Sequence, residues 1–330
     1  MRGVLEASSS IAGDVSAEKV QEALLICNPT SGRRRERRLR DLEEAARILK
    51  TSGIHAELAA TTRAGEATEF ARQAVREGRD MVIACGGDGT NNEVVNGLAG
   101  SQVPMAVLPA GTANILAKEL RIPWDIPAAA RLIPEGKRVR IALGATRWRQ
   151  GAGGTYEAAT QRYFLCVAGA GPDGAIVAGV NTERKLRIGI LEYWLQGLRQ
   201  FFSYRFPQFQ IDSEEKKIVA TLVVVGRTKY YGGPFRITTG ASLFENALEI
   251  LAYTKRSRLL LSLCLPAIWL GCLHRMPGIE SWKTGGLSCE GAAAETIFAQ
   301  MDGEPAETLP MDFRVVPDTL TLIIPARAQT

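Results

Sequence analysis

The chain has 330 residues, of which 46% are apolar and 23% are charged, and its formal net charge is +5. This composition excludes a disordered or fibrous chain, and the length predicts two domains or one large domain around a sizeable core. The mild positive charge suits anionic ligands or an anionic membrane surface without requiring nucleic acid.

Cysteine and histidine, which carry much metal and nucleophile chemistry, are few and scattered. The six cysteines form no C-x-x-C pair, which favours reduced thiols in a cytosolic protein over a disulfide framework or a cysteine zinc site. His55 and His274 lie in no H-E-x-x-H motif and near no G-x-S-x-G motif, which argues against zinc hydrolases and serine hydrolases. Residues 1–20 lack the apolar core of a signal peptide and are predicted to be a flexible lead-in.

Residues 21–142 alternate strand and helix patterns, an order typical of a parallel sheet with helices on both faces. Apolar runs predict the strands, and leucine or alanine at helical spacing predicts amphipathic helices between them. Clusters of turn residues follow three of the strands. Ligands bind such sheets at the carboxyl ends of the strands, so these clusters mark the expected site. The predicted strands are residues 23–27, 56–60, 81–85 and 105–108.

From residue 143 the pattern changes to short apolar runs separated by glycine and proline turns. One predicted helix at residues 190–201 interrupts them, and residues 151–154 predict a hairpin or a surface loop. Residues 143–330 are therefore predicted to form a mainly antiparallel β-sandwich or barrel, whose last strand could return to the first domain. The predicted strands are residues 163–167, 218–225, 248–252 and 319–324.

The most apolar stretch is residues 259–273, which Pro266 interrupts. A helix that crosses a bilayer needs about 20 apolar residues, so this stretch is too short to span a membrane. Two interpretations remain: a buried helix or pair of strands, and a surface element that meets lipid.

The strongest chemical signal is the motif Gly-Gly-Asp-Gly-Thr-Asn-Asn-Glu at residues 86–93, directly after a predicted strand. Three glycines let the backbone approach a phosphate closely, and the N-terminus of the following helix adds free N–H groups. Because a carboxylate repels bare phosphate, a Mg²⁺ ion between Asp88 and the phosphate oxygens explains this residue best. The alternative is a tight turn in which Asp88 caps a helix.

Two further clusters, residues 28–32 and residues 111–112, end neighbouring strands and would complete a nucleotide cleft. No G-x-x-x-x-G-K-[ST] sequence is present, which excludes a P-loop enzyme. Residues 169–174 match G-x-G-x-x-G, but they lie in the β-rich half, with Pro172 at the expected helix start and no surrounding βαβ unit. They predict a structural or substrate-facing turn rather than a dinucleotide site.

Together these motifs resemble the diacylglycerol kinase catalytic family, specifically the bacterial soluble lipid kinases related to diacylglycerol, sphingosine and ceramide kinases. The glycine-rich motif alone is shared with NAD kinases. The resemblance covers nearly the whole chain from Leu24. It rests on Asn-Pro-Thr-Ser-Gly at residues 28–32, on residues 86–97, on Leu-Pro-Ala-Gly-Thr-Ala-Asn at 108–114, on Tyr-Gly-Gly at 231–233 and on Asp-Gly-Glu at 302–304.

The resemblance implies a Rossmann-like α/β domain beside a β-rich acceptor domain, with ATP in the cleft and Mg²⁺-dependent transfer of its γ-phosphoryl group to a lipid hydroxyl. It places the general base in the Asp-Gly-Glu segment, where a carboxylate takes the proton of the attacking hydroxyl. Alone, that segment would predict only a hairpin turn. The implied catalytic residues are Asp88, Asp302 and Glu304, and the implied ATP contacts are Asn28, Pro29, Thr30, Ser31, Gly32, Thr61, Thr62, Gly86, Gly87, Asp88, Gly89, Thr90, Asn91, Asn92, Glu93, Gly111 and Thr112.

The chain departs from the family pattern at positions concerned with metal. Many members carry aspartate where this chain has Ile115 or Ala142, which puts the Mg²⁺ network in question. Some members hold a structural Mg²⁺ with an Asp-Gly-x-Leu segment. The corresponding segment here runs from Glu245 to Leu248, so Asp88, Glu245 and Leu248 are the candidate metal residues.

The partners follow from the same resemblance. Six arginines between Arg33 and Arg40 predict either a solvated helix face or a patch for ATP phosphates or anionic headgroups, and no aromatic platform for nucleic acid accompanies them. We expect a cytoplasmic lipid kinase that contacts the inner face of the membrane transiently, with a homodimer left open. The rival hypotheses are a kinase of a soluble nucleotide such as NAD, and a non-catalytic nucleotide-binding regulator, which Ile115 and Ala142 favour.

Overall fold

The computed structural model describes residues 22–29, 35–148, 161–180, 203–291 and 295–326, together with residues 195, 197 and 199. The predicted lead-in, the predicted loop at residues 151–154 and most of the predicted helix at 190–201 lie outside the described residues, as do Thr30, Ser31 and Gly32.

The first half forms parallel strands joined by helices, which confirms the predicted α/β class. All six residues of its third strand are buried, as expected of a strand with helices on both faces. The elements are β1 (Glu22–Cys27), α1 (Arg35–Thr51), β2 (His55–Ala60), α2 (Glu66–Arg76), β3 (Met81–Gly86), α3 (Asp88–Leu98), β4 (Met105–Pro109), α4 (Ile115–Glu119) and α5 (Ile126–Arg131).

The parallel strands are ordered β2-β1-β3-β4. The chain first steps from β1 to β2 on one side and then returns to β3 on the other side. Loops leave such a switch point in opposite directions, so a crevice opens at the carboxyl ends of β1 and β3. Here the N–H of Asn28 donates to Cys85 O at 3.1 Å, and that of Ala110 donates to Gly86 O at 2.9 Å. We call this region, residues 28–29, 86–89 and 110–112, the glycine edge.

The second half is mostly antiparallel, which confirms its predicted class. A six-stranded sheet has the order β14-β13-β10-β7-β16-β17. The elements are β5 (Lys137–Trp148), β6 (Arg162–Phe164), β7 (Val167–Ala170), α6 (Pro172–Ala178), β8 (Phe209–Ser213), β9 (Lys217–Ala220), β10 (Leu222–Gly226), β11 (Tyr230–Tyr231), β12 (Phe235–Arg236), β13 (Leu248–Tyr253), α7 (Arg258–Trp269), β14 (Ile279–Thr284), β15 (Gly286–Gly291), β16 (Phe298–Met301), β17 (Glu304–Thr308) and β18 (Met311–Ile324).

Strand β18 belongs to both halves. It pairs antiparallel with β5 from Met311 opposite Trp148 to Ile324 opposite Lys137, with one irregularity. Near its end it also runs parallel to β4, with Leu322 opposite Met105, and near its start it pairs with β15. A single ten-stranded sheet therefore passes through the whole molecule.

A buried apolar cluster fills the space between the antiparallel part of this large sheet and the six-stranded sheet. Its largest members are Phe164 from β6, Phe209 from β8 and Phe313 from β18, all of them almost fully buried. Two sheets that face each other across such a core form a β-sandwich.

The apolar stretch at residues 259–273 begins with helix α7, so the strand interpretation is wrong. Its inner face is buried at Cys264 and Ala267, but Leu259 and Trp269 are each 71% exposed. The helix is therefore only half-buried. None of the described helices has the length and apolar character that crossing a membrane requires.

Candidate functional site

The backbones of Gly87 and Gly111 touch across the glycine edge. A Cβ atom added at Gly111 would lie only 2.4 Å from the Gly87 Cα atom and 2.9 Å from Asn114 Oδ1. A Cβ atom at Gly86 would lie 2.4 Å from the Thr90 Cβ atom. Close packing within the protein therefore requires glycine at these positions.

Asp88 is the first residue of α3, and its carboxylate reaches the start of a different helix. The N–H of Ile115, at the beginning of α4, donates to Asp88 Oδ1 at 2.7 Å. Burial raises the pKa of Asp88 to about 6, although the N–H groups of Ile115, Leu116 and Asn114 oppose that shift. Asp88 thus caps α4. Ile115 contacts this carboxylate through its backbone N–H group and not through its side chain.

The Asp-Gly-Glu segment is a two-residue hairpin between β16 and β17. Asp302 and Gly303 have φ angles of 49° and 79°, both in the left-handed region that a type I′ turn requires. The local prediction of a hairpin is therefore correct. The turn lies against α3, which brings a residue of the second half to the site in the first.

Four N–H groups surround the carboxylate of Asp302. Those of Leu165, Cys166 and Val167 donate to it at 2.7 to 2.9 Å, and the side-chain amide of Asn92 donates at 2.8 Å. Burial raises the pKa of Asp302, while these four donors lower it. Asp302 therefore ties α3 of the first half to the chain before β7 in the second half.

Glu304 follows the turn, and its carboxylate lies over the first turn of α3. A Cβ atom added at Gly89 would lie 3.1 Å from Glu304 Oε1. A carboxylate at a helix N-terminus is favoured by the helix dipole and the free N–H groups there. Asp88 and Glu304 thus flank the start of α3 from opposite halves of the molecule.

A buried hydrogen-bond chain supports the Asp-Gly-Glu turn from behind. Gln300 donates from Nε2 to Asp173 Oδ2 at 2.9 Å, and its Oε1 accepts from the N–H of Gly303 at 2.9 Å. Burial raises the pKa of Asp173 to about 7. Gly174 packs so closely on β16 that an added Cβ atom would lie 2.1 Å from Phe298 O. The motif at residues 169–174 therefore has a packing role beneath the site.

Three of the candidate ATP contacts have structural partners of their own. Thr61 is buried, and its N–H donates to Cys27 O at 2.8 Å, beside the glycine edge. Thr62 donates from its N–H and its hydroxyl to Glu66 of α2. The carboxylate of Glu93 accepts the N–H of Ala67 at 3.1 Å. The side chains of Thr62 and Glu93 therefore stabilise the start of α2.

The other candidates differ in exposure. Thr90 is buried against Gly86, and Thr112 is exposed. Asn91 is buried, and its Oδ1 atom has no hydrogen-bond partner. Such an unsatisfied buried atom is one that a ligand or water can satisfy. Asn28 and Pro29 lie at the glycine edge.

Sequence reasoning missed Lys118 of α4. Its ammonium group donates to Gly233 O at 2.8 Å, which joins α4 to the β11–β12 hairpin. Burial lowers the pKa of Lys118, and the charge of Asp88 opposes that shift. The Tyr-Gly-Gly motif at residues 231–233 was visible in the sequence, but its partner across the fold was not.

The fit of a catalytic Mg²⁺ ion follows from the donors at this site. Among the described residues, no cluster of three or more histidine, cysteine, aspartate or glutamate side chains could hold a metal. Mg²⁺ usually takes one or two carboxylates and completes its shell with phosphate oxygens and water. Asp88 offers one such carboxylate, which fits an ion that arrives with a nucleotide.

A second cation site was expected at Glu245 and Leu248, in the loop before β13 and at the first residue of that strand, and it stays a prediction. We call residues 243–247 the carbonyl loop. The guanidinium of Arg227, which has no exposed surface, donates to the carbonyl oxygens of this loop and of the neighbouring β5. The acceptors are Glu245 at 2.5 Å, Leu243 and Ala247 at 2.7 Å, and Ala142 at 3.0 Å.

The side chains near this loop are engaged as well. The carboxylate of Glu245 pairs with Lys283 Nζ at 2.5 Å, and Leu248 is fully buried in β13. Burial lowers the pKa of Arg227 to about 10, so the guanidinium stays charged at neutral pH. Its charge and donors occupy the backbone oxygens of Leu243, Glu245 and Ala247, so we do not expect a divalent cation at those oxygens. A metal ion held by the Glu245 carboxylate and Leu248 stays a prediction.

Comparisons with known proteins identify the family of the chain. Residues 22–146 match the family model "Diacylglycerol kinase catalytic domain", and residues 166–324 match "YegS C-terminal NAD kinase beta sandwich-like domain". The chain is 31% identical over 241 residues to a diacylglycerol kinase of Bacillus subtilis (strain 168), covering 72% of this chain and 75% of the relative. It is 27% identical to a diacylglycerol kinase of Staphylococcus aureus, covering 89% of both chains.

Solved structures share the fold. A crystal structure of a putative diacylglycerol kinase from Bacillus anthracis str. Sterne superposes with a TM-score of 0.77 at 21% identity, over 96% of this chain and 99% of that chain. Another structure of a diacylglycerol kinase from the same organism gives a TM-score of 0.74 at 22% identity, over 94% and 99% of the two chains. The chain therefore belongs to the diacylglycerol kinase family, and it is a kinase that phosphorylates an alcohol.

Proposed function

We propose that this protein transfers the γ-phosphoryl group of ATP, with Mg²⁺, to the hydroxyl of a diacylglycerol-like or sphingoid lipid. The single observation that carries the proposal is the approach of Glu304 to the first turn of α3, beside Asp88 and the bare backbone of Gly87 and Gly111. One side of this cleft offers main-chain donors for phosphate, and the other side offers a carboxylate for an incoming hydroxyl.

In this proposal the glycine edge and the start of α3 bind the phosphates. Backbone N–H groups at Gly87 and Gly89 are the donors, since no side chain fits beside Gly87. Asn28 and Pro29 border the same crevice from β1. Asp88 would hold the Mg²⁺ ion, which when bound neutralises charge that develops on the phosphoryl oxygens. Thr30, Ser31 and Gly32 remain candidate contacts outside the described residues.

Glu304 is the general base of this proposal, and Asp302 is a positioning residue. All four hydrogen bonds to the Asp302 carboxylate come from N–H donors of the protein, so its lone pairs are committed. Glu304 follows the turn that Asp302 fixes, and its carboxylate faces the helix start where a phosphoryl group would lie. It would take the proton as the lipid hydroxyl attacks.

The lipid acceptor is supported by the curated relatives, which are named diacylglycerol kinases. A hydrophobic acceptor resides in a bilayer, so the proposal includes transient contact with the inner face of the membrane from the cytoplasm. The proposal includes neither a nucleic-acid partner nor a required second copy of the chain.

The test is a transfer assay with labelled ATP and Mg²⁺ on mixed micelles of diacylglycerol, sphingosine or ceramide, with NAD in parallel. We expect label in the organic phase with one of the lipids. Label on NAD alone would overturn the lipid assignment. ATP binding without any labelled product would overturn catalysis and would identify a regulator.

A further inference from the structure

The outer face of α7 is apolar and exposed. Leu259, Trp269 and Leu270 are 71, 71 and 78% exposed, and Leu263 and Leu265 are nearly half exposed. We call these five residues the α7 surface. An ordinary surface helix carries charged residues on its solvent side, and a helix that is apolar all round is normally covered. The exposed α7 surface therefore indicates a binding partner that covers it.

Cations flank this surface along the chain. The sequence contains no aspartate or glutamate between Glu249 and Glu280. Lys255, Arg256 and Arg258 precede or begin the helix, and Arg275 follows it, and all four are exposed. Apolar side chains flanked by cations complement a partner that has an apolar interior and an anionic outer layer.

We propose that the α7 surface docks on an anionic lipid bilayer, with the helix lying in the plane of the interface. Twelve residues of helix extend about 18 Å, which is too short to cross the hydrocarbon core but suits an interfacial helix. A second copy of the chain is a poorer occupant, because two-fold pairing would bring identical cations against each other. The docking rests on the proposed function, since a lipid acceptor gives it a purpose.

A line of contacts joins this surface to the site. The ring of Trp269 meets Phe235 edge to face, with centroids 5.5 Å apart. Phe235 belongs to the β11–β12 hairpin, whose Gly233 accepts the hydrogen bond from Lys118, the residue beside Asp88. Lys118 also lies 5.3 Å from the ring centroid of Trp124, which is 52% exposed. These contacts connect the α7 surface to the side of α4 that borders the site.

The test measures flotation of the whole protein, without ATP, on vesicles of phosphatidylcholine and on vesicles of equal parts phosphatidylcholine and phosphatidylglycerol. We expect binding to the mixed vesicles only. The double variant Leu259→Gln/Leu270→Gln should bind about tenfold more weakly or worse, because two inserting side chains become polar. The matched control is Leu39→Gln/Leu58→Gln, which changes leucines that are 62 and 56% exposed elsewhere. It should bind like the wild type.

A charge variant, Arg256→Gln/Arg275→Gln, should lose the preference for the anionic vesicles while keeping the fold. Equal binding by the α7 variant and the matched control would overturn the proposal. So would a dimer, seen by size exclusion, that only the α7 variant disrupts while the wild type ignores vesicles. Phosphoryl transfer to a short-chain lipid in solution tests the proposed function separately from docking. If this transfer is absent, the vesicle-binding result still stands. If this transfer is present but vesicle binding fails, only the docking proposal is overturned.

Discussion

The glycine edge and the carbonyl loop differ in the source of the positive charge that would lie beside their oxygen atoms. At the glycine edge, Asp88 caps α4, and under the proposed function it also holds the Mg²⁺ ion that arrives with the nucleotide. At the carbonyl loop, Arg227 supplies the positive charge and the donors from within the chain. The carbonyl loop thus has its positive charge within the chain, whereas under the proposed function the glycine edge receives its positive charge with the ligand.

The largest expected effect is on the rate of phosphoryl transfer beside the glycine edge. Glu304→Gln removes the proposed proton acceptor but keeps the shape of the side chain. We expect the rate of lipid phosphorylation to fall about a thousandfold, within the range of general-base catalysis, while ATP binding and the thermal midpoint stay unchanged. Steady-state kinetics, calorimetric titration with ATP and thermal unfolding measure the three quantities.

Two controls accompany that variant. Glu307→Gln changes an exposed glutamate of the same strand and should leave the rate unchanged. Asp302→Asn puts an N–H₂ group among four N–H donors, so we expect it to lower stability and activity together. Full activity in both Glu304→Gln and Asp302→Asn would show that the base lies elsewhere.

The second effect concerns the stability that Arg227 gives to the carbonyl loop. Arg227→Met leaves the buried carbonyl groups of the carbonyl loop without donors and should cost about 3 kcal/mol of unfolding free energy or more. Arg227→Lys keeps the charge but has a point-like head with three donors, so we expect a smaller loss. Urea unfolding with and without Mg²⁺ provides the measurement. Stabilisation of the wild type by Mg²⁺ through Glu245 would contradict the role we assign to Arg227.

The third effect concerns the buried carboxyl group beneath the turn. Because the pKa of Asp173 is raised to about 7, the folded state holds a proton that the unfolded state releases near pH 4. Stability should therefore fall as pH rises from about 4 to 7. Asp173→Asn should remove this slope and raise the unfolding free energy above pH 7 by roughly 3 kcal/mol relative to the wild type. Parallel curves for the two proteins, with the partly exposed Asp212→Asn as reference, would refute the assignment.

The smallest expected effect tests whether the carboxylate of Glu245 binds a metal ion. Glu245 and Lys283 are each about half exposed, and such ion pairs contribute less than about 1 kcal/mol. We expect Glu245→Gln to change stability by less than that amount and to leave the Mg²⁺ dependence of turnover unaltered. Mg²⁺ titration of the activity is the measurement. A shifted Mg²⁺ requirement would show that this carboxylate does bind an ion.

The sequence predicted those parts of the fold that depend on local pattern. Fully apolar runs predicted β3 and β4, and alanine at helical spacing predicted α2, since burial on one face imposes these periods. The strands β14, β15 and β17 escaped prediction because they are short and partly exposed, as in the pattern of β14. The run at residues 218–225 is two strands, β9 and β10, rather than one.

The site was predictable as a set of motifs but not as a set of contacts. The Asp-Gly-Glu segment predicted both a turn and a carboxylate, and both are present. Whether Asp88 faces a metal or caps a helix depends on α4, which lies far along the chain. Likewise the sequence does not indicate the role of Arg227, because its four acceptors come from segments that only the folded chain brings together.

The course of β18 has a consequence for synthesis. The open edges of β4 and β5 receive their shared neighbour only when residues 311–324 have left the ribosome. Chains fold from the N-terminus as they emerge, so the first half waits with unpaired strand edges while most of the second half is made. Such edges invite pairing with other chains. We therefore expect ribosome-stalled intermediates that lack this segment to require chaperones, even though their apolar core is already encoded.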